Sequence, residues 1–258
     1  MSAVATQVGA VAGRSVRRTL RQPASVIPPL IFPVALMLVN AAGLQPSTEL
    51  PGFPTDSFLA FALAVPFIQG ALFATLNAGT ELARDVQTGF LNRLALTPLR
   101  SSSLLAGQLA GIVVLGVIQA AFYVVVGLVL GVRFASGPAG VVVLLAFSAL
   151  IALGFGALGS FLALRAGTGE AVQAFFPVFF VFLFISSMNT PLELIEVQWF
   201  KIAATLNPVS YLIDCVRSLI ITGWELDALL LGFGIALVIA VVSLVLASAA
   251  LSRRLTRT

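Results

Sequence analysis

Not one charged side chain occurs between residues 228 and 251. Wound into a helix, that stretch would measure ~36 Å, enough to cross the ~30 Å hydrocarbon core of a bilayer. The pattern recurs at 25–44, 58–80, 104–132, 139–164 and 171–187, each run equally free of charge. Six transmembrane helices are the expectation. Composition agrees, with 59% hydrophobic and only 9% charged residues, against about 25% charged in a soluble domain. The chain reads as an all-α integral membrane protein forming one transmembrane domain over residues 1–258.

The gaps between runs carry the charge. Arg14, Arg17, Arg18 and Arg21 precede the first run, and Arg84, Arg93 and Arg100 lie between the second and third. Arg165 follows the fourth, and Arg253, Arg254 and Arg257 follow the sixth. With alternating spans these eleven fall on one side, against Arg133, Lys201 and Arg217 on the other. The positive-inside bias then places both ends of the chain in the cytoplasm. The net charge of +4 follows from this asymmetry and is not a sign of nucleic-acid binding. A cleaved signal peptide has an apolar core of about 7–15 residues, shorter than the first run, so that run is expected to remain as a helix.

Several chemistries are excluded by what is missing. The chain has no histidine and a single cysteine, Cys215, so histidine acid–base chemistry and multi-cysteine metal sites are out of reach. No catalytic, cofactor-binding or metal-binding residue is identified. A P-loop needs a lysine after its glycines, yet the one lysine, Lys201, lies in "WFKIAA". Ion-coupled transporters place ionisable groups within the membrane, and none of the six runs has an acidic residue near its centre. An ion-coupled secondary transporter is therefore the weaker alternative.

Polar residues do enter the runs: Asn40, Gln69, Asn77, Gln108 and Gln119. They suit hydrogen bonds between helices, or a polar lining for a substrate path. The fifth run, "AVQAFFPVFFVFLF", holds Phe176 and Phe180 among other phenylalanines, whose rings could face lipid, a partner subunit or an apolar route. Pro28, Pro29, Pro33, Pro66 and Pro177 should bend or break their helices. Gly107 with Gly111, and Gly127 with Gly131, have the spacing of close helix packing.

Two short elements are amphipathic. In 7–22, Val8, Val11, Ala12, Val16 and Leu20 share one helical face and the four arginines the other, the pattern of a helix lying in the membrane interface. Between the second and third runs, residues 88–98 place Phe90, Leu91, Leu94 and Ala95 on one side, with Arg93 and Leu96 elsewhere. Pro98 should end this helix. Such an element is either an interfacial loop or a docking element for a cytoplasmic partner. The stretch 190–222 is too apolar for a free loop and too interrupted for a span. Pro191 and Pro208 suit first helical turns, and Asp214 and Arg217 are i,i+3 neighbours able to pair.

The stretch "ELARDVQTGFLNRLALTPLRSSSLLAGQ" resembles the central motif of ABC type-2 transporter permeases. There a charged stretch is followed by Gly, a short coupling helix, Thr-Pro and a Gly at the start of the third span. Glu81, Arg84, Asp85, Gly89, Thr97, Pro98 and Gly107 stand at those positions. Phe90, Arg93 and Leu96 fall on the coupling helix, and Asn92 replaces an acidic residue common in the family. "LNPVSYLIDCVRSLI" resembles the family's Asn-Pro…Arg motif through Asn207, Pro208 and Arg217. The likeness is greatest to small bacterial drug-exporter subunits of the daunorubicin-resistance type. It implies six transmembrane helices with an N-terminal interfacial amphipathic helix, a cytoplasmic coupling helix and a re-entrant external helix pair forming a gate before the last span. It implies the bacterial cytoplasmic (inner) membrane and a dimer, a homodimer more readily than a heterodimer. Two copies of a separate cytoplasmic ABC ATPase would carry the ATP and Mg. The cargo would be an amphipathic drug-like molecule or a lipid, with a lipid-linked glycan as the alternative.

Overall fold

A computed structural model of the chain describes residues 9, 12, 13, 16, 17, 23–89 and 101–255. Among these the secondary structure is helical, with no strand. The long helices are α1 (Pro23–Leu44), α3 (Ala64–Gln87), α4 (Ser101–Val129), α5 (Gly137–Ala166) and α10 (Leu226–Leu255). A one-turn α2 (Phe58–Ala62) leads into α3. Two short helices, α6 (Gly169–Ala174) and α7 (Phe176–Phe184), follow α5, and α8 (Gln198–Leu206) and α9 (Pro208–Ile221) precede α10. The expected helix at 88–98 lies outside the described residues from Phe90 onward, as does most of 7–22.

Among the described residues, five helical stretches are long and apolar enough to cross a bilayer, counting α2 with α3 as one of 30 residues. The chain is a multi-pass membrane protein. Its α3 is the central post, with 78% of its apolar window buried inside the protein, whereas 22% of that of α10 is buried.

The expected fifth run is not one helix. It breaks at Phe175 between α6 and α7, because Pro177 has no N–H for the Gln173 carbonyl. Pro66 coincides with a similar break at Leu63. Pro28, Pro29 and Pro33 behave differently: α1 runs unbroken through all three. Pro33 leaves the Pro29 carbonyl without its intrahelical donor, and the buried Tyr123 hydroxyl of α4 donates to that carbonyl instead. A neighbour thus replaces the missing bond, as apolar surroundings require.

Two cores form, one toward each end of the bundle. One is bulky and aromatic, built on Phe58, Phe61, Phe147, Leu212 and Ile213. The other is alanine-rich and holds Ala74, Ala78, Ala157, Ala163 and Ala247. In the second, α3 and α5 approach backbone to backbone: a Cβ on Gly159 would collide with the Thr75 carbonyl, and one on Gly79 with Val172 and the Gly159 carbonyl. Of the two glycine pairs expected to pack helices, Gly127 meets Leu63, whereas Gly131 sits in a turn at φ +86° with nothing near.

Candidate functional site

The chain leaving α7 is tied to α9 by polar groups in an otherwise apolar setting. Asn207 caps two helices at once. Its Oδ1 accepts from the Val209 N–H at 3.0 Å, capping α9 at its N-terminus. Its Nδ2 donates to the Phe182 carbonyl at 2.5 Å and to the Ile185 carbonyl, both at the C-terminal end of α7. Pro208 follows at the first helical position, where no N–H is needed. An Asn-Pro pair therefore joins the end of one helix to the start of another.

About two to three helical turns further on lies the charge. Arg217 is buried, and its Nη1 donates to Asp214 Oδ1 at 2.8 Å. Its Nη2 donates to the Ser187 carbonyl at 2.9 Å and the Met188 carbonyl at 3.3 Å. The same Asp214 oxygen accepts from the Ser187 hydroxyl at 2.9 Å, and the Ser187 N–H donates to Ser210 Oγ at 3.2 Å. The guanidinium also stacks on the ring of Phe61 in α2. Burial pulls Arg217 down to about 10, against the support of Asp214 and Glu193, so it remains a cation at neutral pH. Burial likewise raises Asp214, opposed by Arg217 and the Ser187 hydroxyl. Arg217 is buried and Asp214 half-buried, and a buried cation with this many partners is costly to strip of them.

The pair lines a cavity of about 240 Å³, bordered also by Glu193, Glu225, Phe61 and Pro191. The α4–α5 connection closes on the same end of the bundle: Ser136 Oγ donates to the Leu219 carbonyl at 2.7 Å. Of the four residues expected at an external gate, Asp214 and Arg217 line this cavity, whereas Asn207 and Pro208 sit at the start of the same helix, outside its lining; Pro208 is exposed and Asp214 half-buried. Ser187, Ser210 and Phe61 were missed by sequence reasoning, since nothing marks a serine or a phenylalanine as the partner of an arginine far along the chain.

The other expected residues are scattered. Asn40 and Asn77 are half-buried on α1 and α3. Gln69 is fully buried on α3, its amide without a hydrogen-bond partner among the described residues. Gln119 lines a cavity of about 10 Å³ with Gly70, Tyr123 and Ser148, the volume of a single water. Gln108 does what an inter-helix amide would, donating to the Ala78 carbonyl at 3.3 Å. Phe176 and Phe180 pack between helices, 5.7 Å from Phe73 and 6.1 Å from Phe32 between ring centres. At the opposite end, Glu81 and Asp85 are half-buried on the last turns of α3, and Arg84 is exposed. Gly89 stops α3 in the left-handed conformation, φ +66°, with its N–H on the Val86 carbonyl. A side chain there would be strained, which accounts for a glycine at that place. Phe90, Arg93, Leu96, Thr97 and Pro98 lie outside the described residues.

Comparison with known proteins agrees with the motifs. The ycf38 protein of Cyanophora paradoxa, which carries a transport-permease name, is 28% identical over 201 residues, covering 77% of this chain and 69% of that protein. The daunorubicin resistance ABC transporter permease protein DrrB1 of Streptomyces coeruleorubidus is 29% identical over 197 residues, 75% of this chain and 66% of that protein. The ycf38 protein of Porphyra purpurea is 28% identical over 214 residues, covering 82% and 72%. The model of the ABC-2 type transporter family matches residues 6–221, a span that holds both the Gly89 helix stop and the Asn207–Arg217 knot, and the chain belongs to that family.

Proposed function

We propose that the chain is the permease subunit of a bacterial ATP-driven exporter that moves an amphipathic, drug-like or lipid molecule out of the cytoplasm or inner leaflet. Two copies would work with two copies of a separate ATPase, which holds the ATP and Mg, in the cytoplasmic membrane. The observation that carries this reading is the family match across 6–221, with a drug-resistance permease among the relatives. Both ends of the chain would lie in the cytoplasm, supported by the eleven-to-three division of basic residues.

The sixth crossing would be the broken α6–α7 segment. Gly169 at its start lies against Thr80 of α3, beside the arginine-rich end. Its other end meets Asn207 of the knot. At 1.5 Å per residue its 16 residues span ~24 Å, short of the five long helices, so it would complete the crossing beside a polar vestibule. Helices α8 and α9 would dip into the outer leaflet as a re-entrant pair. Asn207, Pro208, Asp214 and Arg217 would set the geometry of an external gate.

The segment 88–98 would be the coupling helix, seated in a groove of the ATPase and transmitting its closure to α3 and α4, with Glu81, Arg84 and Asp85 flanking it. Purification of the tagged chain from its native membrane, with mass spectrometry of what co-elutes, tests this. A stoichiometric P-loop ATPase that is lost on Leu96→Asp or Arg93→Glu is the expected result. A chain that emerges alone while other transporter complexes stay intact, and whose transport collapses with the proton gradient but survives ATP depletion, would overturn the reading.

A further inference from the structure

A cavity larger than the one beside Arg217 lies elsewhere. It is a groove of about 600 Å³ at the opposite end of the bundle, between the C-terminal ends of α5 and α10. Its walls are Phe161, Leu164, Leu246, Ala249 and Ala250, and its rim is Arg165, Arg253 and Arg254. No carboxylate is among the described residues that line it.

Cations at helix C-termini offset the helix dipole, and Arg254 does this for α5, its Nη1 donating to the Leu164 carbonyl at 2.9 Å. That bond uses one of the five donors of a guanidinium. It also holds the Arg254 head at the mouth of the groove, beside the exposed Arg165. Below the rim the groove is apolar and opens on the flank of α10, whose Leu237, Val238, Val241, Val242 and Val245 are exposed. Cationic donors above an apolar slot, on a protein embedded in lipid, match one kind of molecule: a phosphate-bearing head with a hydrocarbon tail.

We propose that this groove binds an anionic phospholipid, its headgroup phosphate on Arg165 and Arg254 with Arg253 adding charge, and its acyl chain against Phe161, Leu246 and Ala249. The site requires that the chain sit in a membrane and does not depend on what the transporter carries. It supplies a built-in contact with whichever leaflet surrounds the arginine-rich end.

The test is native mass spectrometry of the purified chain released from bilayers of phosphatidylcholine with a minor fraction of phosphatidylglycerol. Wild type should retain phosphatidylglycerol in preference to phosphatidylcholine. Arg165→Gln with Arg253→Gln should lower that preference by roughly tenfold or more, the scale set by one anionic contact per arginine near a membrane. Ala249→Trp, at an exposed position that leaves all three arginines in place, should fill the slot and do the same. Equal retention by wild type and Ala249→Trp would overturn the proposal. So would displacement of the lipid by excess glycerol phosphate, which would reduce the site to one for soluble anions.

Discussion

The guanidinium carbon of Arg217 lies 3.6 Å above the centre of the Phe61 ring. Phe61 belongs to α2 and Arg217 to α9, so one stacked contact joins the entry to the central post with the helix before the last span. At a desolvated site such a contact is worth about 2 kcal/mol, and the hydrogen bonds to Asp214, Ser187 and Met188 add to it. Arg217→Met is expected to cost about 1–3 kcal/mol, because it leaves the half-buried Asp214 and the Ser187 carbonyl without their donor. Adding Asp214→Leu to Arg217→Met should recover much of that loss. Thermal unfolding in detergent, followed by tryptophan fluorescence, reads both. A double variant no more stable than the single would mean that the pair is held by something other than its own charge.

Asn207 should be intolerant of the substitution most like it. Asn207→Asp keeps the oxygen that caps α9 but replaces the amide donor to the Phe182 and Ile185 carbonyls with an acceptor. It is expected to be as damaging as Asn207→Ala, each by about 1–3 kcal/mol. If Asn207→Asp unfolds at the wild-type temperature in the same detergent, only the N-cap matters.

Tyr123→Phe removes a single hydroxyl, the one that serves the Pro29 carbonyl. The carbonyl stays buried and unsatisfied, so a loss of about 1–3 kcal/mol is expected. Restoring an N–H by Pro33→Ala in the Tyr123→Phe background should offset it, since α1 could then supply its own donor. Unfolding temperatures that merely add would refute the link.

Gln69 offers the opposite sign. Its amide is sealed in the protein with no partner among the described residues, and such a group costs about 1–3 kcal/mol on protein scales. Gln69→Leu should raise the unfolding temperature. Transport of the cargo, measured alongside, separates two roles: a stabilised variant that still transports carries a dispensable amide. One that is stabilised and inactive shows that the amide serves the substrate.

Much of this architecture is legible in the sequence, because the bilayer enforces it. Uncharged runs of about 20 residues, arginines in alternate gaps and an i,i+3 Asp–Arg pair all have local signatures. Pro208 is legible as a helix start, whereas Gly89 stands out in the sequence only as a position of the family motif. The rest depends on partners remote in the chain. The carbonyl that Pro33 frees finds its donor on a tyrosine 94 residues away, and α1 runs unbroken through its three prolines, while Pro177 and Pro66 each accompany a break. The close approach of α3 and α5 rests on Gly79 and Gly159, which share no spacing motif. The basic groove draws Arg165 from one helix and Arg253 and Arg254 from another, and no window of sequence contains them all.

The glycine contact between α3 and α5 also has a mechanical side. Two helices touching through their backbones have no side-chain cushion between them, so neither can slide or tilt alone. A force applied just beyond Gly89 would therefore move a double beam rather than a single rod, as far as the break at Leu63. The places left to hinge are the proline-associated breaks, at Leu63 and between α6 and α7. Stiffness at the centre and compliance at the margin are what a lever needs.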